Sequence, residues 1–348
     1  LEAAQTWERD GPWEPRIREE CEAVRDGVGV LDLCGFSRFD LSGDGAAAWL
    51  RTQITGALPR VGRMGLGYFA DARGRIVTEM SIMRTGEDEL TLITAAAAQW
   101  HDFEVLSRVL PEGLSLIDRT KEFSTLVVTG PKSRELFARI SDADLTLPWL
   151  THHEAQVAGR PARLARVSFA GELGWEIHAA NEHIPAMYDA VLDAGAQPYG
   201  MYAMNALRLE KGYRAWKGDL STDYTMLQGG LDRFIKWDKP DFTGKQALLA
   251  EQQQGPSKRF ATFVVDAGAS DAPYMSTIWH GQEVVGETTS GGYGYRVDAS
   301  MIAHEDFLKS IAIDQFDQHT KRLQAYLTEA QFALASTYDR LSRVEGGQ

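Results

Sequence analysis

Apolar residues recur at helical spacing over residues 14–27, where Ile17, Cys21 and Val24 sit among arginines and glutamates before Gly27 and Gly29. A period near 3.6 predicts one amphipathic helix that the glycines stop. The period then changes to two. Residues 28–33 and 37–41 carry β-branched or aromatic side chains on alternate positions, so they predict strands, and Ser42-Gly43-Asp44-Gly45 is a turn leading into a helix over 46–52. Three further strands are expected at 64–69, 75–83 and 89–94, joined through Asp71-Ala72-Arg73-Gly74 and Thr85-Gly86-Glu87-Asp88. Connections this short join neighbouring antiparallel strands.

The same alternation continues with a helix over 100–110, a strand over 124–129, a helix over 132–139, strands over 163–169 and 174–179, and a helix over 184–194. An alanine- and leucine-rich helix over 203–211 carries Arg208 and Glu210 and runs into a long polar connection from Gly212 to Tyr224. A connection of that length is either functional or solvated. Strands dominate 259–297 with glycine-rich turns, Ser290-Gly291-Gly292-Tyr293-Gly294 among them, which suits a small β-barrel or sandwich. Beyond Met301 glycine vanishes until Gly346 and the apolar spacing becomes helical, so a helical hairpin is expected there. The fold class is α+β.

Composition narrows the function more than the fold. With 348 residues, 44% hydrophobic and 24% charged, the chain is long enough for two or three globular domains. Its 36 Lys and Arg against 49 Asp and Glu give a net charge of -13, which repels polyphosphate and anionic lipid, so neither nucleic acid nor membrane is expected as a partner. No apolar run reaches the roughly 18–20 residues a bilayer requires. Two cysteines, Cys21 and Cys34, make no disulfide framework, and the default is a reducing, cytoplasmic location. The chain opens on Leu1 without an initiator methionine or a signal-like segment, as expected of a processed product or a piece of something longer.

Most familiar catalytic patterns are missing. The eight histidines include no His-x-x-x-His pair, and His152 with His153 read as a surface loop after Pro148-Trp149. No Gly-x-Ser-x-Gly elbow or phosphate-cradling glycine loop precedes a helix. What remains is a set of carboxylates and aromatics at expected strand positions: Glu79, and Phe169 with Glu172 and Glu176. A carboxylate bracketed by apolar residues is costly to bury alone, so each of these requires a partner, a ligand or a solvent-facing position.

Several blocks together resemble the aminomethyltransferase family, the T-protein of the glycine cleavage system and its relatives, over roughly residues 15–300. They are Gly29-Val30-Leu31-Asp32-Leu33, Leu207-Arg208-Leu209-Glu210-Lys211-Gly212-Tyr213-Arg214, Gly230-Leu231-Asp232-Arg233-Phe234 and Asp241-Phe242-Thr243-Gly244-Lys245, followed by Ser290-Gly291-Gly292-Tyr293-Gly294-Tyr295. The fit is closest to the folate-binding half of dimethylglycine and sarcosine dehydrogenases.

The resemblance implies a three-lobed fold around a central hole, with folate-binding α+β lobes of ferredoxin-like type over 1–225 and a β-barrel lobe over 226–300, left short of its last strands because the helical tail over 301–348 has no counterpart in the family. It implies tetrahydrofolate as cofactor, with Glu79 as the catalytic carboxylate facing the folate amine and Tyr68, Phe169 and Glu176 as cofactor-binding residues. Glu79, at an ordinary carboxylate pKa of roughly 4, would manage the proton of N10. Glu176 would take the pterin edge, since a carboxylate is an acceptor-only fork suited to two adjacent N–H donors.

Phe169 stands where the family often has tyrosine, and Met204 and Asn205 where glycine-cleavage members have arginine and aspartate. Lys217 or Arg214 would meet the glutamyl tail. In the dehydrogenase branch the methyl donor is an N-methyl amine such as dimethylglycine or sarcosine. A flavin-binding domain or subunit is then the expected partner, and FAD belongs only to such a separate or missing N-terminal domain. The alternatives are a stand-alone folate-dependent demethylase of an S- or O-methyl substrate, and a non-catalytic folate-binding iron-sulfur maturation protein. The second lacks support at 211–218, which contains no cysteine.

Overall fold

The computed structural model describes Arg9 and residues 11–304, and the helical hairpin expected beyond that point lies outside the described residues. The first element is helix α1 (Glu14–Asp26), which has a proline in its first turn, buries Ile17, Cys21 and Val24, and stops at Gly27. Strands β1 (Gly29–Asp32) and β2 (Ser37–Ser42) follow, then α2 (Ala46–Gln53), β3 (Met64–Ala70), β4 (Ile76–Arg84), β5 (Glu89–Thr94), α3 (Gln99–Ser107), β6 (Ser115–Asp118) and β7 (Phe123–Thr129). Helix α4 (Ser133–Ile140) leads to β8 (His152–Val157), β9 (Arg160–Ala165), β10 (Gly174–Ala180), α5 (Ile184–Asp193), β11 (Gln197–Pro198) and α6 (Met201–Glu210). The remainder comprises α7 (Lys245–Gln254), β12 (Ala261–Val265), β13 (Thr277–His280), β14 (Glu283–Gly294) and β15 (Ala299–His304).

These strands form three sheets. The first runs β11-β1-β7-β10-β9-β8, the second β3-β4-β5-β2-β6 and the third β12-β15-β14-β13. The first sheet is buried on both faces. Val128, Trp175, Ile177 and Leu164 pack against α4 and α5 through Phe137, Met187 and Val191, while Leu31 and Val127 on the reverse face meet α1 and α6. A polar side chain buried on that reverse face therefore needs a partner within the protein or a bound ligand. The second sheet sets Phe39, Leu41, Met80, Ile82, Leu90 and Leu92 against Leu50 of α2 and Leu106 of α3.

Helix α6 buries Ala203, Met204, Ala206, Leu207, Arg208, Leu209 and Glu210, nearly its whole circumference. A helix buried around so much of its surface sits between layers. Its Leu209 joins Met301 and Ala303 of the third sheet, while Ala203 and Leu207 join the core on the first.

Three expectations require correction. The segment 226–254, assigned to the barrel lobe, contributes no strand to the third sheet. Met226, Leu227, Leu231, Ile235, Phe242 and Leu248 instead cover Tyr68 and Ile76 of the second lobe. Nor does the barrel break off at Met301, because β15 continues to His304, paired with both β12 and β14. Met301, Ile302 and Ala303 are all buried, so this strand end shows no period of two that could be read beside a helical tract.

The glycine-rich stretch 290–294 is continuous strand, not a turn. A side chain on Gly291 would lie 2.0 Å from the Ala272 carbonyl oxygen, so glycine there permits a close backbone approach. Among the described residues the third lobe is an open four-stranded sheet.

Candidate functional site

Glu79 lies on β4 directly opposite Tyr68 on β3, so a cross-strand pair holds them side by side. Both point away from the core that Phe69 and Met80 enter. The Tyr68 hydroxyl donates to the Glu79 carboxylate, and its ring rests against Phe234 at 4.9 Å. Burial pushes the Glu79 pKa up to about 6, against the opposing pull of the Tyr68 hydrogen bond and the nearby Arg214 guanidinium. The ordinary pKa expected from sequence is thus corrected. Tyr68 is itself raised, chiefly by burial and then by the Glu79 charge.

Arg214, expected to meet a glutamyl tail, lies beside the Tyr68–Glu79 pair. Its guanidinium lies 4.1 Å from the Phe260 ring centroid, donates to the Gly230 carbonyl at 3.3 Å and acts electrostatically on Glu79 and Tyr68. Lys217 is exposed, with its ammonium 5.5 Å from the Trp216 ring centroid.

Glu176 is on β10, on the face opposite Trp175 and Ile177, between Val127 and Ala165 of the neighbouring strands. Two residues on, His178 shares that face. Its Nε2 lies 3.0 Å from Glu176 Oε2 and its Nδ1 2.9 Å from Thr125 Oγ1. His178 stands at no metal-ligand spacing in the sequence, so a search for metal ligands does not find it. The Glu-x-His spacing on a strand, which puts both side chains on one face, was the available signal.

Phe169 was expected on a strand but belongs to the loop between β9 and β10. It is 41% exposed and stacks on Tyr213, with centroids 5.9 Å apart and 17° between planes. Tyr213 brings a phenol ring alongside the position where Phe169 lacks one. The loop is held by Glu172, which pairs with Arg296 and, at 3.6 Å, with Lys211. Gly171 sits at φ +78°, and a side chain there would lie 2.5 Å from the Lys211 stem. Gly171→Ala is therefore expected to cost about 1–3 kcal/mol, read as a lower urea midpoint.

The two carboxylate-bearing faces meet. Met64, Met83 and Ile93 of the second sheet cluster with Ala165 of the first. Met83 follows Glu79 on the same face of β4, and Ala165 is the cross-strand partner of Glu176. Phe169 reaches the Glu79 end through Tyr213, whose electrostatic neighbour Arg233 covers the Phe234 ring that abuts Tyr68. Two cavities of about 410 and 770 Å³ flank α2 and the start of α7, and neither is lined by these residues.

The long connection 212–224 is not a solvated loop. Asp219 is fully buried. It accepts from Arg208 Nη1 at 2.6 Å, the Ala215 amide at 2.8 Å, Thr289 Oγ1 at 2.6 Å and Ser290 Oγ at 2.7 Å. Met204 lies in the core with Ile17 and Cys21, and Asn205 accepts from Arg208 at 3.3 Å. His152 and His153 are on β8, with His152 buried, bonded to the Arg84 carbonyl at 3.2 Å and pushed down to about 4 by burial and Arg163. Alternation on β8 separates the two rings, which a loop reading could not foresee. Among the described residues no group of three or more potential ligands is placed to hold a metal ion, and no helix is long and apolar enough to cross a membrane.

Comparison with known proteins identifies a family and a fold. The model of the GCVT N-terminal domain family matches residues 1–239. Mitochondrial dimethylglycine dehydrogenase from Rattus norvegicus is 31% identical over 300 residues, which is 83% of this chain but 35% of that protein. The chain thus spans about a third of the length of that relative. Aminomethyltransferase from Thermus thermophilus is 34% identical over 283 residues, 80% of this chain and 79% of that one. The crystal structure of glycine cleavage system aminomethyltransferase T from Bartonella henselae superposes with a TM-score of 0.76 at 22% identity, covering 83% of this chain and 80% of that one, a likeness of fold.

Proposed function

This chain belongs to the GCVT, or glycine cleavage T-protein aminomethyltransferase, family, and on that premise we propose that it transfers a one-carbon unit to tetrahydrofolate. The N-methyl carbon of an amine such as dimethylglycine or sarcosine, once a flavin partner has oxidised it by two electrons to the iminium, would be captured as 5,10-methylenetetrahydrofolate with release of the demethylated amine. The observation that carries this reading is the Tyr68–Glu79 pair, a carboxylate raised to about 6 on a sheet face that meets the face bearing a second, histidine-held carboxylate.

The residues present fit a reduced pterin with an aryl amine. Glu176 offers acceptor lone pairs to the paired N–H donors of a pterin edge, and Phe169 offers an exposed aromatic face. Tetrahydrofolate would supply the nucleophilic nitrogens that accept the carbon. Glu79 orients the amine, stabilises positive charge developing beside it and accepts the N10 proton, with Tyr68 holding the carboxylate in place.

The amine chemistry rests on the likeness to dimethylglycine dehydrogenase, and a flavin-bearing domain or subunit is the partner that would oxidise the donor. A second reading, a stand-alone transferase, draws on the 79% coverage of the Thermus thermophilus protein. Turnover of a methyl donor by the chain with folate and no flavoprotein decides for the second, and dependence on an added flavoprotein for the first.

Tetrahydrofolate titrated calorimetrically into the chain tests the common core. Saturable binding is expected, and Glu176→Ala is expected to weaken it about 30- to 100-fold, as loss of hydrogen bonds to a charged group should. Unchanged affinity in that variant would refute the pterin assignment.

A further inference from the structure

We propose that His178 is a positioning residue for Glu176, acting through the hydrogen-bond chain Thr125–His178–Glu176. The proposal rests on the reading of Glu176 as the pterin-binding carboxylate and deepens it. Glu176 has apolar cross-strand neighbours, Val127 on one side and Ala165 on the other, and neither has a side-chain donor. Among the described residues His178 is the side chain that holds it, at 3.0 Å. His178 is itself 3% exposed and stands in register with Thr125 on β7, whose hydroxyl lies 2.9 Å from Nδ1. The three side chains therefore occupy one face of two paired strands, with their backbones fixed by the ladder.

The chemistry defines the direction of the chain. A carboxylate only accepts, so Nε2 carries the proton that joins it to Glu176. The Thr125 hydroxyl can donate to or accept from Nδ1, and so satisfies the inner nitrogen in either ring charge state. A carboxylate has about four lone-pair sites, and one bond from His178 leaves the remaining sites for a ligand. A free glutamate side chain has to be ordered on binding, at a cost of up to about 2 kcal/mol in rotamer entropy. Holding it beforehand removes much of that cost, which is how a supporting hydrogen bond sharpens a binding site. Removal of His178 should accordingly act on affinity and leave the chemical step alone.

The test uses the full 348-residue chain and tetrahydrofolate. His178→Met is expected to raise the Kd about ten-fold, the loss of one charge-assisted hydrogen bond, while the single-turnover transfer rate at saturating folate is unchanged. His178→Gln, which keeps a donor on the side chain, is expected to recover most of the affinity. In a Glu176→Ala background His178→Met should produce no further loss, because the group it positions is gone.

Equal Kd values for wild type and His178→Met overturn the proposal, as does an equal ten-fold loss in the Glu176→Ala background, which would mark a merely structural role. If Glu176→Ala itself binds as tightly as wild type, the pterin reading has failed and the proposal with it. A weakened Glu176→Ala beside an unaffected His178→Met means that only the positioning role has failed. Should His178→Met not fold, imidazole nitrogen NMR of the unsubstituted, ligand-free chain still decides. An Nε2-bound proton is expected, and a ring protonated at Nδ1 alone overturns the chain.

Discussion

Glu79→Gln is expected to lower single-turnover transfer to tetrahydrofolate by about 10²–10⁴-fold while the folate Kd stays within about three-fold. Glutamine still accepts from Tyr68 and keeps the shape of the site, but it neither takes a proton nor opposes a positive charge. Wild-type transfer should also fall as pH drops through about 6, where the carboxylate is protonated. The variant should lose this limb of the profile. Turnover by Glu79→Gln at the wild-type rate would remove the residue from the chemistry.

The same substitution should stabilise the fold. Glu79 has an ordinary value of 4.5 and a folded value of about 6, so between those two the folded chain holds more proton than the unfolded one. Stability is therefore lost as pH rises across that window and is fully retained below it. A shift of this size corresponds to about 2 kcal/mol. Glu79→Gln should accordingly gain about 1–2 kcal/mol at pH 7 and nothing at pH 4, read from urea midpoints. Gain of stability with loss of transfer is the signature of a group kept for function.

Asp219→Ala is expected to cost about 3–5 kcal/mol, because it strands the Arg208 guanidinium, buried with 6% of its side chain exposed, without its carboxylate. It also frees Thr289, Ser290 and the Ala215 amide at once. Set against a net stability of about 5–15 kcal/mol for a domain, this is a large fraction. The connection 212–224 should become sensitive to protease and the urea midpoint should drop sharply. Asp219→Asn retains two acceptor lone pairs and should lose less. A variant Asp219→Ala with wild-type midpoint and proteolysis would show that the network does not anchor the loop.

The elements themselves were legible wherever a period ran long enough. Helix α1, the three strands β3, β4 and β5 with their hairpins, and helices α4, α5 and α6 stand within a few residues of where patterning put them. Some of the short strands were not legible. β6, β8 and β15 were missed because four to six residues of mixed polarity carry no clear period, and their identity comes from the ladder they join. Burial of polar residues was equally hidden. Nothing local marks Asp219 as buried or His152 as a core histidine, since each is tolerated only through partners far away in the chain.

For the candidate site, the chain by itself determined which residue types stand on which strands: Tyr68 and Glu79 on neighbouring strands of a hairpin, and Glu176 two residues from His178 on one strand. Alternation dictates those facings, so they are local facts. The tertiary structure alone decided that the two faces meet through Met83 and Ala165, that Tyr213 stacks on Phe169, that Glu79 is held near 6 and that Glu176 is tethered. A pKa and a hydrogen bond depend on what surrounds a group in space, and those surroundings are brought together by packing between lobes, not by neighbours in sequence.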